Sequence, residues 1–367
     1  NGKIGFVDKN NELVIPFEYD EASDFEGGLS IVELFKKGGD KVGIIDRSGK
    51  LIFDIVFEEI GLFSEGLIFA KKDSLFAYYD RFGKQVIPEK FDEAFAFQDG
   101  LAQVVIGGFQ NYIDRFGTPV FKDKYERIKR LNESLFVYSK DGLSGIINRD
   151  REVVQAKIYD DIAVVSDGFI AYVSDEKIGF FNEFGQETIP PIYDNVLNFS
   201  NYVSFVGGYA RVRFNEKFGV IDETGAWVIQ PKYDYLGAIS EQMAFKKEEL
   251  WGYVDLSQIE IIPASYQFAR SFDGEIAIVN QNNLYGMVNL SGEVIVPIVY
   301  KQIDPIYDKL YVCSNDKGKQ LVFEDGTFID SNTYDQIRMF SKDLIILTDA
   351  QGVYYYHLRE KRIIKME

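Results

Sequence analysis

Phe218-Gly219-Val220-Ile221-Asp222-Glu223-Thr224-Gly225-Ala226-Trp227-Val228-Ile229-Gln230-Pro231-Lys232-Tyr233 is the stretch that decides the fold of this chain. Residues 218–221 and 227–229 are two runs rich in β-branched and aromatic side chains and read as strands. Between them, Asp222 and Gly225 supply hairpin chemistry: the carboxylate hydrogen-bonds the turn backbone, and glycine accepts the positive φ that the turn needs. Pro231 has no backbone donor and is expected to end the ladder. An aromatic ring, Tyr233, follows at once.

That pattern recurs along the whole sequence. A ring stands at Tyr19, Phe57, Phe91, Tyr125, Tyr159, Tyr193, Tyr233, Tyr266, Tyr300 and Tyr334, mostly at intervals of 34 residues, so one supersecondary unit is repeated. Eleven residues before each ring comes Asp8, Asp46, Asp80, Asp114, Asn148, Asn182, Asp222, Asp255 or Asn289, with Phe323 breaking the run. Glycine follows three residues later at Gly49, Gly83, Gly117, Gly185, Gly225, Gly292 and Gly326, and proline marks the second strand at Pro16, Pro88, Pro190, Pro231, Pro263 and Pro297.

Beyond each ring lies an acidic connector of nearly constant length, which predicts an ordered turn or short helix. Its expected buried anchor is the column Phe25, Phe63, Phe97, Leu131, Val165, Phe205, Ile239, Phe272, Ile306 and Phe340. A third column, from Leu29, Leu67 and Leu101 to Leu310 and Leu344, opens a further strand. The expected fold is all-β: tandem repeats of a hairpin, a connector and one further strand. They start near residues 2, 41, 75, 109, 143, 177, 217, 251, 285 and 319, with a terminal hairpin from 353, in a single array over 1–367. The array begins and ends on the same hairpin, which favours an open superhelical, solenoid-like stack over the alternative, a closed β-propeller. The period stretches at residues 36–40 and 194–204, between the structural columns, where insertion costs little.

Trp251-Gly252-Tyr253-Val254-Asp255 resembles the Trp-Gly-Tyr-Ile-Asp core of WG-repeat proteins. Ile4-Gly5-Phe6-Val7-Asp8, Val42-Gly43-Ile44-Ile45-Asp46 and the opening stretch follow it, as do residues 86–92, 228–234, 63–67 and 97–101 in the downstream parts. The tryptophan survives only at Trp251, and the glycine is replaced at Ala77, Asn111 and Gln320. The resemblance implies a bacterial β-repeat array, often associated with the cell envelope, and supplies no catalytic residues.

Chemistry-bearing residues are scarce. The chain of 367 residues has one His and one Cys. His357 falls in the Asp/Asn hairpin column and Cys313 in a third strand, so the repeat explains both, and no intrachain disulfide can form. Adjacent carboxylates at Glu58-Glu59, Asp160-Asp161 and Glu248-Glu249 fit a solvated surface better than a hydrolytic pair. The Asp column offers one carboxylate per turn, too few for calcium. Gly107-Gly108 and Gly207-Gly208 lack the signature of a phosphate loop. No metal or cofactor is expected. A net charge of -18 disfavours nucleic acid, and the only clear basic patch is C-terminal, at Arg359, Lys361, Arg362 and Lys365. No apolar run reaches the roughly 20 residues of a membrane helix.

A binding surface remains. Phe82, Phe116 and Phe184 occupy the same turn position, where tips are usually exposed; they form the candidate surface, against the alternative that each ring folds back onto the neighbouring unit's turn. The expectation is a non-catalytic scaffold holding a protein partner at the cell envelope or outside it, with a carbohydrate or cell-wall module as the alternative, and with the cytoplasm as the alternative compartment.

Overall fold

A computed structural model describes residues 2–195, 204–307 and 309–365. All regular structure among them is β-strand, so the connectors are bends and short strands where a helix had been allowed. The chain divides into two compact units, Asn1–Ile162 and Ala163–Glu367, described separately below.

The first repeats give the pattern. Strands β1 (Ile4–Val7) and β2 (Leu13–Tyr19) form a two-stranded hairpin. The next sheet is an antiparallel meander of β3 (Glu21–Ala22), β4 (Leu29–Leu34), β5 (Lys41–Asp46) and β6 (Leu51–Phe57). A structural sheet therefore joins the connector and third strand of one sequence repeat to the hairpin of the next. The final hairpin, Gly352–His357 with Arg362–Lys365, completes such a sheet with Gln336–Ser341 and Leu344–Asp349. The sequence unit and the structural sheet are out of phase by half a repeat. None of these sheets closes into a barrel, and the tandem all-β reading holds.

Within the hairpins the strand does not stop at its proline. Val42 pairs with Phe57 and Ile44 with Phe53, so two steps along β5 oppose four along β6. The same bulge recurs between Phe218/Tyr233 and Val220/Ile229, and between Trp251/Tyr266 and Tyr253/Ile262. Pro231 and Pro263 lie inside these bulges. A bulge leaves positions outside the ladder, where a missing N–H costs nothing, and the chain re-enters the sheet at the aromatic ring.

The bulge also explains the strand glycine. A Cβ on Gly252 would stand 2.4 Å from the Ile262 carbonyl oxygen and 2.7 Å from the Phe245 ring. At Gly5, Gly43, Gly219 and Gly286 the facing carbonyl would lie 2.6–2.8 Å away. Glycine, bulge and proline are one device. Ala77 keeps the bulge, with Ile87 on Tyr78 and Phe91 on Phe76. Where the replacement is larger, the fourth strand is reduced to isolated bridges: Gln110 to Tyr125 and Ile113 to Pro119 beside Asn111, and Lys319 to Tyr334 and Val322 to Phe328 beside Gln320. The Asn111 amide donates to the Phe121 carbonyl at 2.8 Å and so takes over part of the lost ladder.

The ring column is the core. All ten rings are 8 % exposed or less, and apolar clusters bridge adjacent sheets, as Phe53 and Phe57 do with Ile68, Ala70 and Tyr79. The expected connector anchors are less uniform. Phe97 and Phe205 are buried and Phe63 and Phe340 are exposed; the Val165 side chain is not described, and most of the insertion at 194–204 lies outside the described residues.

Candidate functional site

The turn tips that carry the candidate phenylalanines are built by their Asp or Asn. Oδ1 of Asp80 accepts from the backbone N–H of Phe82 at 2.9 Å and of Lys84 at 3.0 Å. Asp114 does the same for Phe116 and Thr118, and Asn182 for Phe184 and Gln186. Gly83 then takes φ +80°, and a Cβ there would meet the Ile52 carbonyl oxygen of the preceding sheet at 2.2 Å. Gly117, Gly225 and Gly292 face side chains of the preceding sheet instead, those of Ile87, Ile189 and Ile262. The turn glycine is thus the inter-sheet contact. With the backbone pinned from below, the residues between Asp and Gly have nowhere to go but outward.

That geometry exposes the three candidate phenylalanines. Phe82 is 78 % exposed, Phe116 is 87 % and Phe184 is 66 %. Phe82 and Phe116 sit on the tips of successive sheets in the first unit, and Phe184 belongs to the second unit. A cleft of about 840 Å³ opens in the first unit, lined by Phe25, Leu29, Leu62, Phe63, Glu26 and Arg81 among others. It joins an apolar floor to the base of the Phe82 tip. A smaller, polar cleft of about 520 Å³ is lined by Asp99, Arg130, Glu133 and Arg149.

The paired carboxylates do not converge on either cleft. Glu58 and Glu59 are exposed, Glu58 lies 3.7 Å from Lys41, and Glu249 bonds Lys246 at 2.7 Å. Among the described residues no cluster of three or more His, Cys, Asp or Glu could hold a metal ion. Cys313 is fully buried, and burial pushes its thiol up to about 12, far from a reactive thiolate. The His357 Nδ1 accepts from the Glu360 N–H at 3.3 Å, inside the last turn. Around it the C-terminal cations are occupied: Arg359 bonds Asp343 at 2.8 Å, Arg362 bonds Glu360, and Lys361 lies over the Phe323 ring. The Lys365 side chain lies outside the described residues.

Sequence reading missed one column. The residue after each turn Asp or Asn is Lys9, Arg47, Arg81, Arg115 and Arg149 in the first unit, all exposed. In the second unit it is Glu183, Glu223, Leu256 and Leu290, with Glu324 and Leu358 at the same offset after Phe323 and His357. The signal was present at a fixed offset, but a net charge of -18 concealed it.

The turn carboxylates are acid-sensitive. Hydrogen bonds, from the Ser48 hydroxyl to Asp46 and from the Thr224 hydroxyl to Asp222, hold both groups below the ordinary carboxylate range. A depressed folded pKa stabilises above the unfolded value of about 3.9, and that contribution disappears as pH falls through the folded value. Melting temperature is therefore expected to fall as pH drops below about 4. Asp46→Asn with Asp222→Asn should flatten that fall in a thermal scan across pH while retaining the turn, as Asn148, Asn182 and Asn289 do; alanine at both sites should lower stability at neutral pH as well.

Comparison with known proteins matches the family described as WG containing repeat at residues 4–36, 43–76, 76–108, 178–218, 218–247, 251–285 and 285–317. The chain belongs to the WG-repeat family. The unmatched stretches include the two repeats, at Asn111 and Gln320, in which the glycine-and-bulge device has failed. No curated protein sequence matches. Similar solved structures include a eukaryotic initiation factor, at 10 % identity over 81 % of this chain and 95 % of that one, TM-score 0.36. PorZ, a bacterial surface component of the type-IX secretion system of Porphyromonas gingivalis, is 11 % identical over 93 % and 57 %, TM-score 0.25. The extracellular domain of a putative hybrid two-component system from B. thetaiotaomicron is 11 % identical over 100 % and 60 %, TM-score 0.29. At these scores the likenesses carry no functional argument. Among the described residues no helix is long and apolar enough to cross a membrane.

Proposed function

We propose that this WG-repeat protein is a non-catalytic scaffold that holds a protein partner through its turn tips and the adjoining cleft. The observation that carries this reading is the exposure of Phe82 and Phe116, the two most exposed large apolar side chains among the described residues. A ring held out by a fixed turn loses little entropy on contact and offers a large apolar area, which is what binding hot spots use. Family membership adds repeats without a catalytic module. An envelope or secreted location goes with this reading, following what the family resemblance implies. The single-array organisation over 1–367 belongs to this reading too.

The test is crosslinking capture in the source cells with the native chain and with Phe82→Ser/Phe116→Ser/Phe184→Ser. The expected result is a protein partner that the native chain retains and the triple variant loses by tenfold or more, with an unchanged melting temperature, since the rings support no core. Equal capture by both chains, or a glycan that shifts the melting temperature of the native chain alone, would replace the scaffold reading.

A further inference from the structure

We infer that the column Lys9, Arg47, Arg81, Arg115 and Arg149 is a docking face for an extended acidic peptide segment of a partner protein. The inference rests on the scaffold reading and gives its partner a chemistry. All five cations stand on turn tips of the first unit, one per repeat, and all are exposed. The guanidinium groups of Arg47 and Arg149 have no hydrogen bond or ion pair among the described residues, and Arg81 only leans over the neighbouring Phe82 ring at 5.8 Å. Arg115 donates to the Glu65 carbonyl of an earlier connector at 2.5 Å, which fixes where the column lies on its own unit. A chain with 58 acidic and 40 basic residues thus presents arginines without an ion pair among the described residues at Arg47, Arg81 and Arg149, in one register of the repeat.

Four features select a peptide. Guanidinium forks match carboxylates in a bidentate geometry that lysine does not offer. Facing sheets pack about 10 Å apart, and an extended polyproline-II segment, with three residues per turn and a rise of about 3.1 Å per residue, turns every third side chain to the same face, so that successive ones reach successive tips. Phe82 and Phe116 stand directly beside Arg81 and Arg115, so each such tip offers an apolar contact next to a charge. The connectors between the tips are themselves acidic: Asp24 and Glu26 line the apolar cleft with Arg81, and Asp99, Glu133 and Asp150 line the polar cleft with Arg149. A continuous polyanion would meet those carboxylates. A peptide with glutamates at intervals passes over them.

The experiment is fluorescence anisotropy on the full chain. The probes are a labelled synthetic, proline-rich peptide of about twelve residues with glutamate at every third position and one phenylalanine, its lysine counterpart, heparin and a single-stranded oligonucleotide. The expected result is binding of the acidic peptide alone, weakening as sodium chloride rises. Arg47→Glu/Arg81→Glu/Arg149→Glu should weaken it tenfold or more, mainly through a slower on-rate. Arg47→Gln/Arg81→Gln/Arg149→Gln, which adds no negative charge, guards against misfolding of the first variant and should weaken it severalfold. No binding of the acidic peptide, tighter binding of heparin or the oligonucleotide, or binding indifferent to both variants overturns the inference. The two readings fail separately. Loss of a captured partner on removing Phe82, Phe116 and Phe184, with full retention in both arginine variants, sinks the acidic-peptide inference and leaves the scaffold. Acidic-peptide binding with no partner captured in cells does the reverse.

Discussion

Gly252→Ala is expected to destabilise the protein by about 3 kcal/mol or more, while Ala77→Gly at the equivalent position of another repeat costs about 1–2 kcal/mol. A methyl group at residue 252 has two neighbours closer than any side chain tolerates, the Ile262 carbonyl oxygen at 2.4 Å and the Phe245 ring at 2.7 Å. One of these is backbone, so the clash cannot be relieved by a rotamer change. The strand Glu260–Tyr266 must lift away, which unseats Tyr266 and the bulge together. At residue 77 the reverse substitution removes one buried methyl and adds chain entropy, with no new contact. Urea denaturation midpoints measure the difference. Amide exchange should further show protection lost first in Leu250–Val254 and Glu260–Tyr266, because a repeat leans only on its neighbours. Equal and small costs at both sites would mean that the close approach is not what holds the glycine in this motif.

The same comparison shows what the sequence makes legible and what it hides. The ring column, the Asp turns and the glycine tips follow from local chemistry, so spacing alone revealed them. Pairing across half a repeat is non-local: nothing in residues 29–34 states that they belong with the following hairpin, and the phase emerges only when β4 is seen on β5. The prolines misled for a related reason. Read alone, Pro231 ends a strand; opposite Gly219 it sits in a bulge, and the strand goes on to Tyr233. The connector column was over-read because a period implies burial only where a neighbouring sheet closes over it, as over Phe97 but not over Phe63. At the candidate surface, exposure of Phe82 could not be told from back-folding, since that depends on Gly83 docking under Ile52. The basic column escaped notice because net charge averages over the chain, whereas docking responds to the local field.

Phe91→Ala is expected to cost about 3–5 kcal/mol, and Tyr233→Phe only about 1 kcal/mol, although both rings are fully buried members of one column. Phe91 packs edge-on against Tyr78 at 5.9 Å between centroids, in a cluster that includes Ile87, Phe97, Val104 and Ile113. Its ring is what seats the end of the bulge, and truncation leaves a void bordered by two sheets whose backbones are tied by ladder hydrogen bonds and cannot collapse inward. Tyr233→Phe keeps that ring. It removes one O–H, which donates to Glu260 at 3.2 Å, and Glu260 keeps Lys232 at 3.5 Å. Burial, and then the Glu260 charge, push the Tyr233 phenol above its usual range, so it stays a neutral donor throughout the physiological range and its hydrogen bond adds no pH dependence there. Tyr233→Ala should return to the full cost, which makes the pair a measure of ring against hydroxyl at the same site. Denaturant midpoints for the three variants decide it: if Tyr233→Phe were as damaging as Phe91→Ala, the column would be a hydrogen-bonded ladder and not a packed spine, and the mixture of Phe and Tyr along it would have no physical basis.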